Sequence, residues 1–381
     1  MLRFLTAGET HGPCLTAIVE GMPSGVKIDI EKINGELARR QKGYGRGGRM
    51  KIETDKCEIL SGIRGGYTLG SPITLKIENK DFKNWENIMG PFMNNGEKRV
   101  ICPRPGHADL VGGMKYDHND LRNVLERASA RETAVRVAVG ALVRQVLDEF
   151  GIELFSRVVR IGEISDNAEI LDKAFYEKVS LSPVGFGDET QEKLCMEYID
   201  KVKEDGKTVG GVVETIVYNL PEGLGSYVHY DRKLDANIAH SVMSIQAIKG
   251  VEFGMGFGVG EVTGDKVQDE IILTDKYTRL TDNLGGIEGG MSNGEPLVVR
   301  AAMKPIPTQY SPLRTVNIET REETKASVER SDICAVPACS CVVESAVAFE
   351  ITKAFLDKFS GDSITDIKNS YESYIKRIRN Y

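Results

Sequence analysis

The feature that most restricts how this chain can fold is a pair of long segments that are apolar at helical spacing on nearly every side. From Asp120 to Glu149, Leu121, Val124, Leu125, Ala128, Val135, Val139, Leu142 and Val146 recur with a period near 3.6, and Gly151 closes the run. The stretch from Ala134 to Ala141 is small or apolar at almost every position, which leaves it no broad face for water. A second such helix is predicted from Ala338 to Phe359, through Val342, Val343, Ala346, Phe349, Ile351, Ala354 and Phe355. Helices of this kind must lie between other layers.

Strand-like segments supply those layers. Leu2 to Thr6, Leu15 to Glu20, Lys51 to Leu60, Pro72 to Ile77, Val209 to Leu220 and Pro296 to Met303 are β-rich. Shorter helices are predicted from Asp29 to Gln41, with Asp29 as N-cap and Gly43 as stop, and from Asp231 to Ile248. Residues 79 to 118 are rich in Gly, Pro and Asn and read as one long ordered loop, of a length that is usually functional or mobile. With no repeat and no low-complexity linker, residues 1–381 read as a single α+β domain, a sandwich with sheet outside and helix inside.

Composition excludes several function classes. A chain of 381 residues with 41% hydrophobic and 28% charged residues is globular, with a substantial core. Its net charge of -7 argues against nucleic acid as the main partner. Seven cysteines without paired C-x-x-C spacing read as free buried thiols. His107 and His118 are too widely spaced for a helical metal pair, so no metal is expected. The apolar start, Met1 to Ala7, is cut short by Gly8 and Glu9, and no later stretch is long enough for a bilayer, so no membrane is expected and the chain reads as cytoplasmic.

Against this acidic background, Arg39, Arg40, Lys42, Arg46, Arg49 and Lys51 form a basic segment without an acidic residue, interleaved with Gly43, Gly45, Gly47 and Gly48. Such a run is usually a solvated loop, and Tyr44 to Arg49 looks like one unit of an RNA-binding tract. A single unit between a helix and a strand better suits a small anion. Arg127 and Arg131 stand at i, i+4 on the predicted helix, where like charges cost roughly 0.2–0.5 kcal/mol unless an anion lies between them. Glu132 and Arg136 account for part of this cluster as an ordinary helical pair, and Ser129 and Ala130 are small enough to admit a flat ring.

His11 and His107 each occupy a glycine-framed turn. A lone histidine is more often structural, but two such rings, titrating near neutral pH, suit proton transfer. Asp332, just before the second apolar helix, reads equally well as a helix cap. Gly206-Lys207-Thr208 lacks the first glycine of a phosphate-binding loop. Gly254 to Gly260 alternates strictly and marks a closely approached strand or loop.

Four stretches carry a resemblance along nearly the whole chain: Gly8-Glu9-Thr10-His11-Gly12, Arg127-Ala128-Ser129-Ala130-Arg131-Glu132-Thr133, Lys304-Pro305-Ile306-Pro307-Thr308 and Arg330-Ser331-Asp332. In this order they resemble the chorismate synthase family. The resemblance implies a β-α-β sandwich assembled into homotetramers, which converts 5-enolpyruvylshikimate 3-phosphate to chorismate with loss of phosphate and a ring hydrogen. Reduced FMN is required although nothing is oxidised overall.

Carried over to this chain, His11 protonates the departing phosphate, His107 protonates the reduced flavin, and Asp332 works with the flavin in removing the ring proton. Arg127, Ala128, Ser129, Gln246, Ala247, Gly289, Lys304 to Thr308 (including Pro305, Ile306 and Pro307) and Arg330 contact the flavin. Arg40 and Arg46 match NADP positions; with Arg49, Arg131 and Thr10 they also serve the substrate. NADPH would act indirectly, and with no reductase domain evident the resemblance favours a separate flavin reductase. Thr10 stands where most members have Ser, and Leu125-Glu126 where more Gly or Ser is common, a substitution read as mild. The competing readings are a flavin-dependent oxidoreductase on a small anion, and an RNA-binding protein acting through Arg39 to Arg49.

Overall fold

The computed structural model describes residues 1–47, 54–93, 95–168, 174–329 and 331–381; Gly48, Arg49, Lys51 and Arg330 lie outside them. Two antiparallel sheets form the outer layers. The first contains β1 (Arg3–Ala7), β2 (Cys14–Glu20), β3 (Cys57–Ile59) and β4 (Ile73–Glu78), in the order β1-β2-β4-β3. Its strands alternate as a half-buried sheet requires: Leu15, Ala17 and Val19 on β2 and Ile73, Leu75 and Ile77 on β4 point inward, while Ile18 faces out. The second contains β5 (Glu153–Ile161), β6 (Ile164–Ser165), β7 (Gly211–Tyr218), β8 (Ile248–Phe253) and β9 (Leu297–Met303), in the order β8-β9-β7-β5-β6.

Helices α1 (Ile30–Gln41), α4 (Thr133–Asp148), α5 (Leu234–Met243) and α6 (Val336–Lys358) fill the space between the sheets, while α2 (Asp109–Tyr116) and α3 (Arg122–Ala128) pack on each other outside that core. The Asp29 side chain caps α1 by accepting from the Glu31 N–H at 2.9 Å. α4 packs along α6, α1 lies against α4, and α6 rests on β5 and β7. One buried cluster takes side chains from both sheets and from the helices between them. The sandwich with helices inside is therefore the architecture adopted. Among the described residues no helix is long and apolar enough to cross a membrane.

The inner helices approach so closely that one position must be glycine. A Cβ on Gly140 of α4 would sit 2.5 Å from the Ser345 Cβ and 2.7 Å from its Cα on α6. Gly140→Ala should therefore destabilise the fold by about 1–3 kcal/mol, the cost of overpacking, despite the better helix propensity of alanine. Urea unfolding checks this, and an Ala variant as stable as the parent would contradict it.

Four sequence-based expectations change. The helix expected from Asp120 to Glu149 breaks at Ser129 (φ −68°, ψ 148°), leaving α3, a 3₁₀ turn at Ala130–Glu132 and α4. The break survives because Arg40 Nη2 and Thr133 Oγ1 both donate to the Ala130 carbonyl, at 2.9 and 2.6 Å. Residues 79–118 are not simply loop: they hold a 3₁₀ turn at Lys80–Asn84, a one-turn helix at Glu86–Met89, and α2. Gly112 and Gly113, which suggested a loop, instead let α2 press on Val124 and Leu121 of the next helix segment. Finally, α6 begins at Val336 with Pro337 in its first turn, and its cap residue is Ala335 rather than Asp332. Of the seven free cysteines, five are buried as expected, whereas Cys14 and Cys102 are partly exposed.

Candidate active site

A cavity of about 1190 Å³ opens between the turn after β1, the loop after α1, the segment 81–108, the break at Ser129, and the loops around 247, 306 and 331. Pockets for one small ligand usually span about 300–1,000 Å³, so this cavity has room for more than one. It gathers Thr10, His11, Arg40, Arg46, His107, Ala128, Ser129, Arg131, Gln246, Ala247, Lys304, Ile306, Pro307, Thr308 and Asp332 from across the chain.

One wall is built of buried guanidinium groups. Arg131 places Nη1 at 2.8 and 2.7 Å from the two oxygens of buried Asp55, and its Nε donates to Asn79 Oδ1 at 3.0 Å. Arg40, at the end of α1, donates from Nε to Thr133 Oγ1 at 3.0 Å, and its Nη1 lies 3.7 Å from the same Asp55. Burial lowers the Arg40 pKa and the charges of Arg46 and Arg131 lower it further, to about 10, against the opposing pull of Asp55. Arg104, Arg122 and Lys304 also line the cavity. Positive charge outweighs the carboxylates here, which suits a small polyanion. Guanidinium groups this deeply buried do not offer the open groove that an RNA strand needs.

The break at Ser129 also separates two arginines that the uninterrupted helix would have stacked. Arg131 turns into the cavity wall, while Arg127 turns to β1 and donates to the Thr6 and Gly8 carbonyls, both at 3.1 Å. The expected like-charge cost therefore does not arise. Arg136 pairs with Glu132 at 3.0 Å, as an ordinary helical pair should.

Each histidine is tied to a buried carboxylate. His11 Nδ1 lies 2.8 Å from Glu126 Oε1, and its ring stacks on Trp85 with centroids 3.8 Å apart and planes inclined by 18°. His107 Nδ1 lies 2.6 Å from Asp109 Oδ1 and 2.9 Å from Arg104 Nη2. Burial works to raise both carboxylates, yet hydrogen bonds from His107 and Arg104 hold Asp109 well below the usual carboxylate range, and those from His11 hold Glu126 below its own. Lys304 Nζ donates to the Gly106 carbonyl, and Arg104 Nη1 donates to Thr308 Oγ1 at 3.0 Å, so loop 304–308 braces the His107 turn.

Asp332 is fastened to the arginine-bearing loop rather than to a helix end. Its Oδ1 accepts from the Gly47 N–H at 2.6 Å, and Arg46 Nε lies 3.4 Å from Oδ2. A Cβ on Gly47 would approach the Ser331 carbonyl oxygen to 2.8 Å, so glycine permits this docking. Cys339 of α6 also lines the cavity, but burial raises its thiol to about 12, which keeps it an inert wall residue.

The remaining wall suits a flat ring bearing an N–H. Ala128, Ser129 and Ala247 are small, and Gln246 Oε1 is buried with no hydrogen-bond partner among the described residues. Ala247 holds φ at +71°, an unusual conformation for a residue with a Cβ, and its carbonyl accepts from the Lys304 N–H at 2.9 Å. Arg127, Pro305 and Gly289 do not line the cavity, and Arg49 and Arg330 lie outside the described residues.

Residues 2–356 match the chorismate synthase family profile. The chain belongs to the chorismate synthase family. It is 54% identical to the chorismate synthase of Enterococcus faecalis (strain ATCC 700802 / V583), covering 100% of both chains. It is 55% identical to that of Alkaliphilus metalliredigens (strain QYMF), covering 98% of this chain and 99% of the relative. A crystal structure of chorismate synthase superposes with a TM-score of 0.81 at 42% identity, covering 100% of this chain and 99% of the other. The family places the chain among the enzymes of the shikimate pathway, as a lyase of aromatic amino-acid biosynthesis.

Several groups in this cavity escaped the sequence. Asp109, two residues beyond His107, could have been found as a neighbouring carboxylate. Glu126 lies in the departure from the common family form that read as mild; its grip on His11 shows that this position matters to the site. Asp55, Asn79 and Trp85 carry no local signal, because each meets its partner in the site only through the fold, whereas Arg104 stands three residues before His107.

Proposed function

We propose that the chain catalyses the anti-1,4-elimination of phosphate from 5-enolpyruvylshikimate 3-phosphate to give chorismate, as a carbon–oxygen lyase acting on a phosphate ester. The observation that carries this reading is the meeting, in one cavity, of two histidine–carboxylate pairs, a wall of buried arginines and Asp332. The hydrogen removed is very weakly acidic, beyond an ordinary side-chain base alone. Reduced FMN, held by Ala128, Ser129, Gln246, Ala247 and the loop 304–308, would supply when bound the transient electron density that loss of phosphate demands, with no net oxidation.

The chain's own residues do the rest. Arg40, Arg46 and Arg131, joined by Arg49, hold the substrate's phosphate and carboxylates, and burial strengthens each contact by excluding water. His11 gives a proton to the departing phosphate, with Thr10 beside it. His107 supplies the proton required at the reduced cofactor, and Asp332 receives the ring proton. Arg330 joins the cofactor contacts on this reading. A cytoplasmic homotetramer of single-domain chains completes it, with NADPH acting only through a separate flavin reductase; the continuous core supports the single domain.

An anaerobic assay with reduced FMN and the phosphorylated substrate tests this by following phosphate, chorismate and flavin together. Phosphate and chorismate should appear in equal amounts while the flavin stays reduced; flavin oxidised one for one with substrate would mark an oxidoreductase instead. His11→Ala and His107→Ala should each slow turnover roughly 10²- to 10⁴-fold, as loss of a general acid does, with the fold intact by circular dichroism. Near-normal turnover in either variant would remove that ring from the mechanism. Trp85 is the only tryptophan and stacks on His11, so substrate binding should change its emission. Unchanged fluorescence through saturating substrate would place binding elsewhere.

A further inference from the structure

We propose that Glu126 is a positioning residue for His11: it holds the ring with its proton on Nδ1, leaving Nε2 as the atom that exchanges a proton in the cavity. This rests on the reading of His11 as a general acid and adds how the ring is made ready for that task. An ionised carboxylate can only accept hydrogen bonds. Glu126 uses both oxygens on the same residue: Oε2 accepts from the His11 backbone N–H at 2.8 Å, and Oε1 lies 2.8 Å from Nδ1. Nδ1 must then carry the proton. The Glu126 carbonyl also accepts from the N–H and Oγ1 of Thr10, at 3.0 and 2.8 Å, so one residue anchors the whole turn.

The clamp is itself fixed. Arg122 Nη1 donates to Glu126 Oε1 at 3.1 Å, and its Nη2 donates to Glu329 Oε1 at 3.0 Å. Trp85 covers the face of the His11 ring, with Lys98 Nζ 3.9 Å from the indole centre. Nε2 has no hydrogen-bond partner among the described residues and is not sealed from solvent, so it faces the cavity that His11 lines. His107 is held in a similar way, its Nδ1 lying 2.6 Å from Asp109 Oδ1 with Arg104 Nη2 2.9 Å away.

Long-range proton–nitrogen NMR of the ¹⁵N-histidine-labelled full chain tests this, with the His11 signals identified by their loss in His11→Asn. Neutral His11 should show a proton on Nδ1 and a bare Nε2. Glu126→Gln offers one acceptor and one donor where Glu126 offers two acceptors, so the single tautomer should be lost. Its kcat should fall roughly 10²- to 10⁴-fold, with little change in KM. Wild-type His11 protonated on Nε2 overturns the proposal whether or not the variant folds. So does a Glu126→Gln enzyme with wild-type turnover. A wild-type chain that releases no chorismate would instead remove the parent reading of His11, while the spectrum would still decide the tautomer.

Discussion

Asp332→Asn should cut kcat by roughly 10²- to 10⁴-fold while leaving the melting temperature nearly unchanged. The sequence left a helix cap as an equal explanation, and Asn would serve as well as Asp in that role. That explanation fails on geometry, because α6 is capped at Ala335 and the Asp332 oxygens face Gly47 and Arg46 instead. Asn can keep the 2.6 Å bond from the Gly47 N–H, so the docked loop should survive. What it cannot supply is a negative charge that takes up a proton. If Asp332 only pins the loop, the variant should show a raised KM with kcat largely kept. If it receives the ring proton, kcat should collapse, and deuterium at the transferred ring position should give a larger isotope effect as that step becomes slow. Wild-type turnover in the Asn variant would return Asp332 to a structural role.

Asp55→Ala should destabilise the fold by about 3–5 kcal/mol, the usual consequence of removing one partner of a buried ion pair. Asp55 is the carboxylate that Arg131 meets at 2.7 Å and Arg40 at 3.7 Å, with its side chain fully buried. Removing it takes away the buried carboxylate that the two guanidinium groups share. Urea unfolding at neutral pH measures the loss, and inorganic phosphate should restore part of it by binding the folded state. A loss below about 1 kcal/mol, on the scale of an exposed pair, would mean that the arginines find water or another partner. Because the same arginines form the proposed anion wall, this variant also links stability to the site: the charge that attracts substrate is held in place by one carboxylate behind it.

What the sequence determined by itself is the layered plan and most of the site's inventory. Apolar periodicity at Leu121–Val146 and Val342–Phe355 requires burial on all sides, and alternation in β2 and β4 requires one covered face, so sheets outside and helices inside follow from local pattern. The glycine-framed His11 and His107, Arg40, Arg46 and loop 304–308 stood out because reactive groups beside small residues are a local signal.

Only the tertiary structure decided how these groups are paired. Glu126 meets His11 across 115 positions of chain, and Asp332 meets Gly47 across 285. No window of sequence contains both members. The break at Ser129 and the helix at Asp109–Tyr116 were hidden for the same reason. Helical periodicity continues through the break because both sides need a buried face, and Gly112 and Gly113 signal a loop until the neighbouring Leu121 and Val124 side chains show what their small size accommodates. Local pattern sets what must be buried, but hydrogen bonds and charges can be satisfied by any partner the fold brings within about 3 Å, and that choice belongs to the folded chain alone.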